Sequence, residues 1–182
     1  MTGTATREPR QGEVNEMNDI EANNTDTRTW IANLRDHDGM TREHARKNLA
    51  KLGPAVTPLL LPLLEDKESQ TRWEAAKALS RIADPASIEA LLPVLEDDDT
   101  DVAWVAAEAL AAIGPPAVAP LLQMLLDRFE SIGVRQGAHH VLGELRKSKI
   151  GDKIAKVYAA LDSSDPDIEV ISAAERALIE LK

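Results

Sequence analysis

From Asp26 onward the apolar positions recur with the period of amphipathic helices. Trp30, Ile31 and Leu34 are followed by Ala45, Leu49 and Leu52, then by Val56, Leu59, Leu60 and Leu63, then by Ala75, Ala78, Leu79 and Ile82. Polar or turn-forming residues separate these runs: Asp36-His37-Asp38-Gly39, Gly53-Pro54, Asp84-Pro85 and Gly114-Pro115-Pro116. A Gly that ends one helix, or an Asp that caps the next, followed by Pro at the first helical position, marks a helix-to-helix corner. The pattern therefore predicts helical hairpins over about 26–52, 54–82, 85–113, 116–145 and 150–181. Pro62 and Pro93 fall inside the first helices of the second and third hairpins, where a missing N–H predicts a bend.

The hairpins are copies of one another. Leu49, Leu79, Leu110, Leu142 and Leu178 are equivalent anchors, spaced 30 to 36 residues apart. Each has an Ala four positions before it and an aliphatic residue three positions after it. A period near 30 residues with one apolar set per copy is the signature of a stacked repeat array, since a single hairpin cannot bury its apolar face alone. Residues 1–25 lack this pattern; with only Val14, Met17 and Ile20 scattered among Thr, Asn, Gly and Glu, they are expected to form a disordered tail ahead of a repeat domain over 26–182.

Composition narrows the function classes. The 182 residues fit one domain, and the absence of Cys removes disulfides, thiolate metal sites and Cys nucleophiles. The opening residues have no apolar run of the kind a secretory signal needs. The longest uncharged run, Ala109 to Leu126, is broken by Gly114-Pro115-Pro116, so no membrane span and a cytoplasmic, soluble protein are expected. A net charge of -10 repels phosphate backbones and argues against nucleic acid.

The recurring combination of acidic turn, Arg-containing helix start, Ala-Ala-x-Ala-Leu and a closing Ile-Gly resembles the HEAT-like repeats associated with phycobilisome lyases, over residues 26 to 182. The resemblance implies an all-α, right-handed, armadillo-like α-solenoid of about five hairpins, whose second helices line its concave face. It does not fix an activity: similar repeats occur in lyase subunits, deoxyhypusine hydroxylase, some alkylpurine DNA glycosylases and plain scaffolds.

Helical geometry then selects the outward positions of those second helices. At about 100° per residue, the position four before the anchor lies beside it, whereas those six and two before fall on the opposite flank. These flank positions are Glu43 and Lys47, Trp73 and Lys77, Trp104 and Glu108, Gln136 and His140, and Ser172 and Arg176. The first eight form the candidate partner-binding stripe. Trp73 and Trp104 occupy the same predicted outward site in adjacent copies, and outward Trp is enriched among binding hot spots. The alternative reading lays each indole across a neighbouring helix as packing.

The same positions weigh against catalysis. The His-Glu pairs that the hydroxylase-type resemblance implies as metal ligands are missing: the matching dipeptides are Glu43-His44, Trp73-Glu74, Trp104-Val105, Gln136-Gly137 and Ser172-Ala173. Asp97, Asp99, Asp101 and Glu108 have the spacing of a calcium loop, but Val102 stands where Gly is needed, so an acidic turn capping a helix is expected. His139 and His140 diverge as neighbours on a helix, and Arg42, Arg72 and Arg135 recur where they would meet the acidic turns of adjacent copies. The sequence-based expectation is a non-catalytic scaffold or adaptor, not an enzyme, without metal or cofactor, binding another protein through this stripe. A bilin lyase-like subunit acting with a partner chain is the alternative, and a nucleic-acid-binding repeat protein the least favoured.

Overall fold

The computed structural model describes residues 25–163 and 167–181, so the expected tail over residues 1–25 lies outside the described residues except for Thr25. Among the described residues there are ten helices and no strand: α1 (residues 25–33), α2 (Gly39–Lys51), α3 (Gly53–Glu65), α4 (Ser69–Ile82), α5 (residues 85–96), α6 (Thr100–Ile113), α7 (Pro115–Asp127), α8 (Ile132–Leu145), α9 (Gly151–Leu161) and α10 (Asp167–Glu180). Side-chain caps fix the helix starts. Asp38 accepts from the Thr41 amide at 2.9 Å, Asp84 from Ala86 at 3.0 Å and Asp99 from Asp101 at 3.0 Å. Pro62 and Pro93 sit in 3-10 turns, Leu61–Glu65 and Pro93–Glu96, where the lost N–H has forced the helix out of α geometry.

The residue four after each of the first three anchors turns the chain with a positive φ: Gly53 at 65°, Ala83 at 54° and Gly114 at 85°. Glycine takes that conformation without strain; Ala83 does not.

Packing follows the repeat. α2, α4, α6 and α8 stack one on the next as a row, and α3, α5 and α7 each pack beside their own partner helix in a second row. The anchors Leu49, Leu79, Leu110 and Leu142 are fully buried, as are Ala45, Ala75, Ala106 and Ala138, the small residues that let adjacent helices approach. The chain is an all-helical α-solenoid.

The last hairpin departs from this order. α9 packs on α8, and α10 packs on α7 and α9 instead of on α8, so the two helices exchange rows. The register assigned to Leu178 therefore does not carry over: Leu178 is only partly buried, while Val170, Ala174 and Ala177 face inward. α10 thus lies along the outer row, against α7. No single described helix is long and apolar enough to cross a membrane; α6 and α7 pass that test only jointly and are bent by 118°.

Candidate functional site

The flank positions of α2, α4, α6 and α8 lie on one face, where side chains link α4 to α6, α6 to α8 and α8 to α9. In α2, Lys47 Nζ lies 2.5 Å from Glu43 Oε1, and this bond holds the Glu43 carboxyl below its usual range. Between α4 and α6, Lys77 Nζ reaches Glu108 Oε2 at 2.5 Å. Between α6 and α8, the Trp104 and His140 rings meet with centroids 4.3 Å apart, tilted by 49°. Between α8 and α9, His139 stacks on Tyr158 at 4.6 Å while its Nε2 lies 2.9 Å from Asp162 Oδ1. Gln136 is exposed beside Trp104.

The two indoles, expected to be equivalent, are not. Trp104 is 55% exposed, whereas Trp73 is half-buried against the core with the Arg46 guanidinium 5.1 Å above its ring. The difference comes from the neighbouring helix. Three before its anchor, α2 carries Arg46, long enough to reach across Trp73; the same position of α4 is Ala76, which cannot reach Trp104. For Trp73, packing accounts for much of what the periodicity assigned to contact.

Beneath Trp73 lies an ion cluster that the outward-facing positions did not reveal. Glu74, 3% exposed, accepts from Arg42 Nε at 3.1 Å and from Arg46 Nη1, and Arg46 is itself 8% exposed. Buried charges persist only when paired, and here one carboxylate serves two guanidiniums. The sequence signal was the Arg at 46, a place held by Ala76 and Ala107 in the next two copies.

The recurring arginines stitch the turns. Arg42 Nη1 donates to the Asp36 and His37 carbonyls. Arg72 Nη1 donates to the Asp66 and Lys67 carbonyls, and its Nε and Nη2 reach the Asp97 oxygens, both at 2.7 Å. Burial pushes the Asp97 carboxyl upward, but the hydrogen bonds from Arg72 and the Asp99 amide outweigh it and hold the group below the ordinary carboxylate range. The acidic turn at 97–101 is thus occupied by Arg72 and by the cap of α6. Glu108 is engaged by Lys77, and among the described residues no group of three His, Asp or Glu could hold a metal ion.

Three cavities open on this face. One of about 440 Å³ adjoins Trp73, Glu43 and Arg46; one of about 400 Å³ lies between α6 and α8; a groove of about 860 Å³ runs from Trp104 across α8 to Tyr158 and Leu161 of α9. The exchange of rows by the last hairpin builds the far wall of that groove, which periodicity alone placed on the other side of the stack. Ile132, 64% exposed, stands beside Trp104 in both the second cavity and the groove.

The sequence profile of HEAT repeats matches residues 27–104 and again residues 88–179. No curated protein matches the chain. Among solved structures, a chain from the complex of CpcE and CpcF of phycocyanin lyase from Nostoc sp. PCC7120 superposes with a TM-score of 0.58 at 22% identity, covering 84% of this chain and 98% of that one. Two engineered proteins superpose with TM-scores of 0.46 and 0.41 at 25% and 22% identity, covering 86% and 96% of this chain and 79% and 86% of theirs. The expectation that the chain is not an enzyme is corrected by the first of these. Nearly the whole of a phycocyanin lyase chain shares this arrangement of helices, so the architecture serves inside an enzyme, and the missing metal-ligand pairs do not exclude an enzymatic role.

Proposed function

The chain belongs to the HEAT-repeat family, and from that premise we propose that residues 26–182 act as one repeat domain that binds another protein, rather than nucleic acid or membrane, through the face of α2, α4, α6 and α8. The observation that carries this reading is Trp104, a large apolar side chain left 55% exposed beside Ile132 at the junction of two cavities. Leaving an indole in water is costly, and a covering partner recovers that cost. Gln136 and His140 complete the centre of the surface. Glu43, Lys47, Lys77 and Glu108 form its polar border, and Trp73 supports it from below. A net charge of -10 supports a protein ligand over a polyanion.

Immobilised chain should retain a partner that the Trp104→Ala variant loses, while Leu59→Ala, at an exposed site on α3 in the other row, retains it. Equal retention by wild type and Trp104→Ala removes the proposal.

A second reading, that of a lyase-like subunit working with a partner chain, draws its support from the likeness of fold to the phycocyanin lyase chain. Mixing the protein with a free bilin separates the two: a shift in visible absorbance supports the lyase-like reading, and an unchanged spectrum counts against it.

A further inference from the structure

Trp104 stands between two spaces of different chemistry. On one side, the cavity of about 400 Å³ is bounded by the small residues Ala103, Ala107, Gly133 and Gly137, with Trp104 and Ile132 beside them. Backbone contact requires glycine at 133, whereas at 137 a Cβ would force the Leu95 side chain to shift. A Cβ on Gly133 would come within 2.3 Å of the Leu95 carbonyl oxygen, and one on Gly137 within 2.7 Å of Leu95 Cδ2. α8 therefore rests directly on the end of α5, and the space between α6 and α8 is large enough for one bulky apolar side chain.

On the other side, the groove of about 860 Å³ holds Arg146, whose guanidinium lies 4.4 Å from the Tyr158 ring and whose Nε donates to the Gly143 carbonyl at 3.2 Å. Among the described residues no carboxylate pairs with Arg146. Of the two carboxylates in the groove, Asp162 is hydrogen-bonded to His139 and Glu144 has no cation among the described residues; Glu96 and Asp97, which border the other cavity, are held by Arg128 at 2.5 Å and by Arg72. Gln136 borders both spaces, and no described group bonds its side-chain amide.

We propose that the two spaces together hold an extended acidic–apolar segment of a partner protein. Its bulky apolar side chain enters the cavity beside Trp104. The Gln136 amide bonds its backbone, and an Asp or Glu a short distance along reaches Arg146. Gly137 and Arg146 are nine residues apart along α8, a rise of roughly 14 Å, and same-side residues of an extended chain recur about every 7 Å, so an acidic residue about four positions from the apolar one spans α8. A guanidinium without a counter-ion selects a carboxylate, which it can hold through two parallel hydrogen bonds. The chain's overall negative charge does not prevent this, because at physiological ionic strength charges beyond about 8 Å are screened.

This inference rests on the reading of the face as a protein-binding surface. The test is selection of a random heptapeptide library against the full chain, followed by fluorescence polarisation with the synthetic winner. Winners should pair Leu, Ile, Met or Phe with a nearby Asp or Glu. Trp104→Ala and Arg146→Gln, both confirmed folded by circular dichroism, should each weaken binding about tenfold, and Lys in place of the acidic residue should do the same. Basic winners that depend on Trp104 but not on Arg146 overturn the acidic chemistry and leave the protein-binding face standing. No enrichment, or winners indifferent to Trp104→Ala, overturn both.

Discussion

Removing the Glu74 carboxylate leaves Arg46 enclosed without a counter-charge. Glu74 is 3% exposed, Arg46 8%, and the bonds from Arg42 and Arg46 converge on the one carboxylate. Breaking a buried ion pair by deleting one partner costs about 3 to 5 kcal/mol, most of it the penalty of the orphaned charge. Arg46 already has one buried nitrogen, Nε, without a protein partner, so Glu74→Ala should fall in the upper half of that range. Its loss also frees Arg46 to leave the face of Trp73, removing a further contribution of about 0.5 to 2 kcal/mol. The double variant Glu74→Leu with Arg46→Leu replaces charge with apolar volume and should be close to neutral. Equilibrium urea unfolding, followed by far-UV circular dichroism, reads both. A cost below about 1 kcal/mol for Glu74→Ala, or a double variant as unstable as the single one, would show that water reaches the guanidiniums and that the cluster is not a buried unit.

Leu110→Ala should cost about 2 to 5 kcal/mol in the same assay, because the anchor is fully buried between α4 and α8 and its removal leaves a cavity. Ala83→Gly should raise stability by about 0.5 to 1 kcal/mol by relieving a positive φ at a site where the adjacent copies carry Gly53 and Gly114; a loss of stability would refute the strain argument. The Asp97 carboxyl lies below its ordinary range in the folded chain, so its contribution is present above the unfolded pKa of about 3.9 and disappears as pH falls through the lower folded value. Urea midpoints should therefore drop steeply below about pH 4, and Arg72→Gln should flatten that drop.

The repeat was legible because stacking imposes it on every copy. The position four before the anchor must be small and the anchor itself apolar wherever two helices approach, so Ala45–Leu49 through Ala138–Leu142 identify themselves without any structure. The direction in which Trp104, Gln136 and Lys77 point followed from the same period. What periodicity could not supply was each side chain's neighbour across the row. Trp73 and Trp104 share a position, yet Arg46 covers one and nothing from Ala76 covers the other. The last hairpin escaped for a different reason. Its helices have the right spacing, but spacing alone does not say which of the two packs on α8, and it is α9 rather than α10 that lies there. Tyr158, His139 and Arg146 became one wall only through that exchange. The exclusion of an enzymatic role failed because it rested on one metal-centre pattern, and repeat arrays of this shape also occur in a lyase.

Hydrogen exchange of the chain with and without its captured partner addresses the central claim most directly, since it locates the contact without any substitution. Binding at the proposed face predicts slowed exchange concentrated in α6 and α8, around Trp104 and Gln136, with α3 and α5 unchanged. Protection confined to the α3, α5 and α7 row, with α6 and α8 unaffected, would contradict it.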